Sequence, residues 1–243
     1  MTSLRNTGIV VDFSRYSRLE AVKEIGRQGV EKLAGSKVLV IGAGALGSLC
    51  AMYLAASGVG EITVADFDTV DLSNLQRQLF FTEELAGKSK VLELAERMRS
   101  LNSDIVVHTI NSLIRRDYAE SHFGDFDFIV DGSDNPSTKA IVDEYCFRSD
   151  VPCVIAGVNG FKGQVMSWKP GSVRFSSIFG DGAVCSGVLP CGIAGVVGPT
   201  AGVVASVQAA ECIKYLTDSG DCLFNKVMFF NLASCEFRVL DID

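Results

Sequence analysis

A chain of 243 residues with a formal net charge of −7 and a pI near 4.9 can build a sizeable core and fits one large α/β domain better than two small ones. The acidic balance argues against duplex nucleic acid as the main partner, because phosphate binding usually shows as a basic face. Residues Met1 to Arg18 carry neither an apolar leader nor an Arg-rich amphipathic pattern, so the expected compartment is the cytoplasm, with no membrane partner.

In chain order, the apolar positions Leu19, Val22, Ile25, Val30 and Leu33 predict an amphipathic helix within an N-terminal helical arm, 1–35, that ends at Gly35. The strand Val38–Ile41 follows, then a helix from Leu46 to Ser57. Further buried-type strands are expected at Glu61–Ala65, Ile105–Thr109, Phe126–Asp131 and Cys153–Gly157, with helical segments Ser89–Leu101 and Ser137–Ser149 between them. This alternation is the signature of a doubly wound, mainly parallel, Rossmann-like sheet. After Asn159-Gly160 the pattern changes: Phe161–Trp168, Lys226–Asn231 and Glu236–Leu240 read as antiparallel strands added to the same sheet.

Gly182 to Ala210 carries no charge and exceeds the roughly twenty residues of a bilayer span. Its many Gly and Pro residues predict instead a flexible crossover loop, 170–198, running into a buried helix at about Pro199 to Leu216. The eight cysteines are scattered and form no CxxC pair, so they read as buried small hydrophobes, not as a disulfide framework or zinc cage.

Between the first strand and its helix lies Gly42-Ala43-Gly44-Ala45-Leu46-Gly47, a GxGxxG turn whose helix N-terminus offers free N–H groups to a phosphate. Asp66 ends the next strand, where a carboxylate can accept from ribose hydroxyls. These features alone predict an adenine nucleotide. Asp68, Asn74, Arg77, Gln78, Lys90, Asp134 and Asn135 then fall at loops expected to converge on the carboxyl ends of the strands. An Arg and a Lys aimed there would neutralise a triphosphate, and Asp134 would hold magnesium through oxygen. Taken singly, Arg77 and Lys90 also read as solvated surface residues. His108 and His122 are assigned no catalytic role, being expected in a strand and a surface segment.

The segment Asp66–Gln78, with its Ser73-Asn74-Leu75-Gln76-Arg77-Gln78 core, resembles the ThiF/MoeB/HesA family, the bacterial relatives of ubiquitin-activating enzymes, and ThiF in particular. The likeness extends from Arg15-Tyr16-Ser17-Arg18 through Gly87-Lys88-Ser89-Lys90 and Asp131–Asn135 to the helix at Gly202–Leu216. It implies an adenylyltransferase that uses ATP and magnesium on the C-terminal Gly-Gly carboxylate of a small ubiquitin-like sulfur-carrier protein. By the same resemblance, Gly42, Gly44, Ala45 and Gly47 line the nucleotide and Asp66 holds the ribose. Asn74, Arg77 and Lys90 contact phosphates, and Asp134, with Asn135 beside it, binds magnesium. Arg18 stands where the family sends an arginine into the partner's site, which implies a homodimer. Cys191 matches a position where some members join the carrier covalently or accept sulfur from a persulfide donor, and Cys185 is near enough to form a redox pair with it.

The sequence departs from the family where two CxxC pairs would hold zinc: it reads Val173–Ile178 at the first, and no second pair follows. No zinc site is therefore expected. An NAD-dependent oxidoreductase, a catalytically inactive homologue that binds a ubiquitin-like partner, and a tRNA-modifying dehydratase of the same superfamily remain as alternatives. The pathway, whether thiamine, molybdopterin, cysteine or homocysteine synthesis or another sulfur route, is left open.

Overall fold

The computed structural model describes residues 12–180 and 195–242. An eight-stranded sheet forms its centre: β1 (Lys37–Ile41), β2 (Glu61–Ala65), β3 (Val106–Ile110), β4 (Phe128–Asp131), β5 (Cys153–Asn159), β6 (Lys162–Trp168), β7 (Lys226–Asn231) and β8 (Glu236–Asp241). The spatial order is β3-β2-β1-β4-β5-β6-β7-β8. The five strands β3 to β5 of that order run parallel, and β6, β7 and β8 add antiparallel. The fold is therefore the mainly parallel α/β sheet, extended at one side by antiparallel strands, that the strand and helix alternation predicts.

Both faces of the parallel part are covered, which is why β1, β2 and β4 are almost continuous apolar runs. Helices α1 (Phe13–Glu20), α2 (Gly26–Ala34), α3 (Gly47–Ala56) and α4 (Lys90–Leu101) precede β3, followed by α5 (Arg116–His122), α6 (Pro136–Ser149), α7 (Phe175–Phe179) and α8 (Gly198–Thr217). Val38 and Val40 of β1 face a core shared with Leu54, Leu94 and Val204, whereas Leu39 and Ile41 face one shared with Val142, Tyr145 and Trp168. Alternate strand residues thus feed opposite layers. Among the described residues no helix is long and apolar enough to cross a membrane.

The structure corrects the N-terminal expectation. The stretch from Leu19 to Leu33 is not one helix: α1 ends at Glu20, and α2 starts at Gly26, which has φ +57°. Val22, placed on the apolar stripe by periodicity, is 41% exposed. The arm is nonetheless fastened. Tyr16 is buried, its hydroxyl accepts from Asn102 Nδ2 at 2.8 Å, and Asn102 also donates to the Ala55 carbonyl at 2.7 Å.

Two helices are additions to the expected pattern, α5 and α7; the latter lies within the segment 170–198 expected as loop. Arg174 donates to Asp143 Oδ2 of α6 at 2.7 Å, and the Phe175 N–H donates to Asp143 Oδ1 at 2.9 Å, which seats α7 on α6. Cys185 and Cys191 lie outside the described residues.

Candidate nucleotide site

Loops at the carboxyl ends of β1, β2, β3, β4 and β5 surround a cavity of ≈ 540 Å³, within the usual range for a small-molecule site. Its first wall is the turn after β1. Gly42 has φ +95°, and a side chain there would press on the Gly132 backbone, with its Cβ 2.8 Å from the carbonyl oxygen. Gly47 is packed behind this turn: a Cβ on it would overlap the Gly42 carbonyl, reaching the carbonyl carbon at 2.8 Å. Gly42, Gly44 and Ala45 line the cavity, and Gly47 does not. Its place is structural, letting α3 start close against the end of β1.

Asp66 ties this turn to the next. Its carboxylate accepts from the Ala43 N–H at 2.5 Å and from the Asp68 N–H at 2.8 Å, while its half-buried side faces the cavity. The Lys90 N–H donates to the Asp68 carbonyl at 3.0 Å, so the start of α4 is pinned beside β2. Lys90 Nζ then reaches Asp68 Oδ2 at 3.0 Å, with the lysine side chain 6% exposed and the aspartate 51%. A cation is thereby held at the cavity wall by a partner that water already solvates.

The signature segment is a sequence of tight turns. Asp71 accepts from the Ser73 N–H at 2.8 Å and caps the single 3-10 turn Leu72–Asn74. Hydrogen bonds from the Ser73 side chain and backbone, with the Lys90 charge adding to them, hold the Asp71 carboxyl below the usual carboxylate range. The Asn74 carbonyl accepts from both the Arg77 and Gln78 N–H groups at 3.0 Å. Arg77 folds back to donate to the Ser73 carbonyl at 3.0 Å. Asn74 Oδ1 and Gln78 Oε1 are buried and have no hydrogen-bond partner among the described residues, and both residues line the cavity. Two orphaned acceptors beside a Lys and an Arg are suited to a ligand rich in both donors and negative charge.

The opposite wall is the turn after β4. Asp134 lines the cavity and is exposed, and Asn135 lines it while capping α6, its Oδ1 accepting from the Ser137 N–H at 2.9 Å. Sequence reading missed what lies beneath. Asp131 is fully buried and pairs with Lys139 Nζ at 2.6 Å; Gln208 of α8 donates to the Asp131 carbonyl at 2.7 Å. A lysine eight residues after an aspartate, one position before the apolar run Ala140-Ile141-Val142, was the available signal. Arg18 is exposed on α1 and does not line the cavity of its own chain. His108 is in β3, 3.3 Å from Glu61, and His122 ends α5; neither lines the cavity.

Among the described residues no three His, Cys, Asp or Glu side chains gather as a metal cluster. A magnesium ion does not require one, because it is commonly held by one or two carboxylates together with substrate phosphates. Asp134, an exposed oxygen donor on the cavity wall, fits that pattern.

A 3-2-1-4-5 parallel core with a glycine-rich first turn, an acidic end to β2 and a cation-lined crevice over the strand ends has the plan of a nucleotide-binding α/β protein. The chain belongs to the ThiF family, whose model matches residues 16–243. It is 33% identical to the molybdopterin-synthase adenylyltransferase of Escherichia coli over 94% of this chain and 92% of that protein. Identity to the SAMP-activating enzyme E1 of Haloferax volcanii is also 33%, over 93% of this chain and 84% of that protein. It is 35% identical to the adenylyltransferase and sulfurtransferase MOCS3 of Culex quinquefasciatus, and spans only 55% of that relative. Among solved structures, E. coli MccB with ATP superposes with a TM-score of 0.80 at 26% identity, covering 94% of this chain and 71% of that one.

Proposed function

We propose that this chain is an ATP-dependent adenylyltransferase acting on the C-terminal Gly-Gly carboxylate of a small ubiquitin-like sulfur-carrier protein. The observation that carries it is the crevice wall itself, where Lys90 and Arg77 line the same cavity as Asn74 and Gln78, whose buried Oδ1 and Oε1 have no partner among the described residues. The adenylyltransferase relatives support the same reaction.

The carrier carboxylate is ionised at neutral pH and attacks the α-phosphorus; a new C–O–P linkage forms, the α–β bridging bond breaks, and pyrophosphate leaves with the electron pair. No general base is needed. Lys90, released from Asp68, and Arg77 neutralise charge growing on the leaving group, while Asp66 takes ribose hydroxyls and the Gly42–Ala45 turn admits the phosphates closely. Asp134 would hold a magnesium ion, which would offset the negative charge of the phosphates. Arg18 completes the site from the partner subunit of a homodimer, and the Cys191 thiolate serves a later step, either displacing AMP from the acyl-adenylate to form a thioester or taking the outer sulfur of a persulfide donor as its S–S bond breaks and the donor thiolate leaves.

The test is to incubate the protein with magnesium-ATP and candidate Gly-Gly-ended carriers. A carrier heavier by one AMP unit in mass spectrometry, with carrier-dependent pyrophosphate exchange, is expected. Absence of both across carriers that other family members activate would refute the proposal.

A further inference from the structure

Lys139 does not belong to the signature segment, yet its ammonium has three acceptors, at the end of β4, in the turn after it and within β5. Nζ donates to Asp131 Oδ2 at 2.6 Å, to the Ser133 carbonyl at 2.8 Å and to the Ala156 carbonyl at 2.7 Å. Asp131 uses its other oxygen to accept from the Ser133 N–H at 3.1 Å and the Ser133 hydroxyl at 2.6 Å. The turn that presents Asp134 is thus closed into a ring of hydrogen bonds, and the same ammonium ties that ring to β5 one residue before Gly157 and Val158, which line the cavity. Lys139 is 8% exposed and Asp131 fully buried. Burying such a pair is weak support for stability, because desolvation offsets most of the attraction. Its evident work is geometric.

We infer that Lys139 is a positioning residue that fixes the Asp134 turn against the β5 wall, and so sets the affinity of the crevice for a divalent cation on a bound nucleotide. The inference rests on the proposed ATP site and adds to it the determinant of cation binding. Lys139 lines the cavity, but its ammonium bonds go to the β4 turn and to β5, not to the turns after β1 and β2 that are proposed to hold the nucleotide. Loss of the pin should therefore loosen the cation and leave cation-free nucleotide binding nearly unchanged.

Removing Lys139 alone strands the Asp131 charge, so Lys139→Met is to be measured beside the neutral double variant Asp131→Asn/Lys139→Met. ATP binding is measured by calorimetry with EDTA present, and then magnesium is titrated into the ATP-bound protein. For the folded variants, half-saturating magnesium is expected to rise at least tenfold while EDTA-phase ATP affinity stays within threefold of the parent. Both quantities moving together, or neither moving in the double variant, would overturn the positioning role. Failure of the parent protein to bind ATP would overturn the nucleotide site and this inference with it; binding by the parent with no split in the variants overturns this inference alone.

Discussion

Alanine at Gly44 and at Gly47 separates two requirements that the glycine-rich turn combines. At Gly47 the new methyl group would overlap the Gly42 carbonyl, backbone on backbone, with the carbonyl carbon 2.8 Å away and Val40 Cγ1 at 3.4 Å. No side-chain rotation relieves this, so the start of α3 must move outward by roughly the radius of a methyl group. Forcing a group into a packed core costs about 3 kcal/mol at the upper end of the usual range. For a chain of this size that corresponds to a fall in Tm of about 6–12 °C. At Gly44 the methyl group would meet only Gln78 Nε2, at 3.6 Å, an ordinary contact, and it would stand in the cavity. Gly44→Ala should therefore melt within about 4 °C of the parent, since replacing Gly by Ala at an unstrained site changes stability by about 1 kcal/mol or less. A methyl group between the turn and a ligand phosphate should cost about 2 kcal/mol of binding, near 30-fold in ATP affinity. Gly124→Ala, with nothing within 4 Å of its Cβ, serves as the neutral reference. Thermal unfolding and calorimetric ATP titration of the three variants make the measurement. A Gly47→Ala protein as stable as the Gly124→Ala protein, or a Gly44→Ala protein that binds ATP normally, would refute this division of roles.

Replacing Lys90 by Met keeps most of the buried stem and removes the charge at the cavity wall; carrier-dependent pyrophosphate exchange should drop by about 10²–10³ in kcat, and an unchanged rate would exclude Lys90 from leaving-group stabilisation. Tyr16→Phe deprives Asn102 of one acceptor and should cost about 1 kcal/mol in urea unfolding, whereas an unchanged midpoint would show that the arm is not fastened there. Burial pushes the Cys50, Cys146 and Cys212 thiols well above their usual value and the Cys222 thiol up to about 11, so at pH 8 a thiol reagent should modify exposed Cys235 before any of these four. Because the unfolded thiols ionise near 9 and the folded ones later, the unfolded state loses protons first, and folding stability should fall as pH rises from about 9 to 11; a flat or rising profile in denaturant titrations would contradict it.

The sheet was legible in the sequence wherever burial on both faces or strict bounds left one choice. Glu61–Ala65 and Lys226–Asn231 run as the pattern predicts, and the helix at Pro199–Leu216 extends by one residue at each end. Helix α5 escaped because, of Arg116–His122, only Ala119 is buried, leaving no apolar period to detect. Helix α7 has five residues, too few for periodicity to register. The N-terminal error has the opposite cause: Leu19, Val22 and Ile25 fall on a helical stripe that continues to Leu33, but the chain turns at 21–25 and restarts. At the site, side chains near the glycine turn and the signature segment could be placed in advance because those backbones are locally determined. Gly47 shows the limit: the family resemblance implies a place at the nucleotide, and packing sets it behind the turn. The Asp131–Lys139–Gln208 cluster was hidden because it joins β4, α6 and α8, and a lysine within a helix normally reads as a solvated face.

The placing of β1 between β2 and β4 constrains how the chain can be made. One edge of β1 pairs with β2 some twenty residues on, but the other waits for Phe128–Asp131, nearly ninety residues later. Until that strand is available, Val38, Leu39, Val40 and Ile41 form an apolar, unpaired strand edge of the kind that recruits other chains. Synthesis and refolding therefore pass through a period in which the first hundred or so residues can associate wrongly. Fragments ending before β4 should be recovered as aggregates, and the vulnerable interval closes when β4 docks.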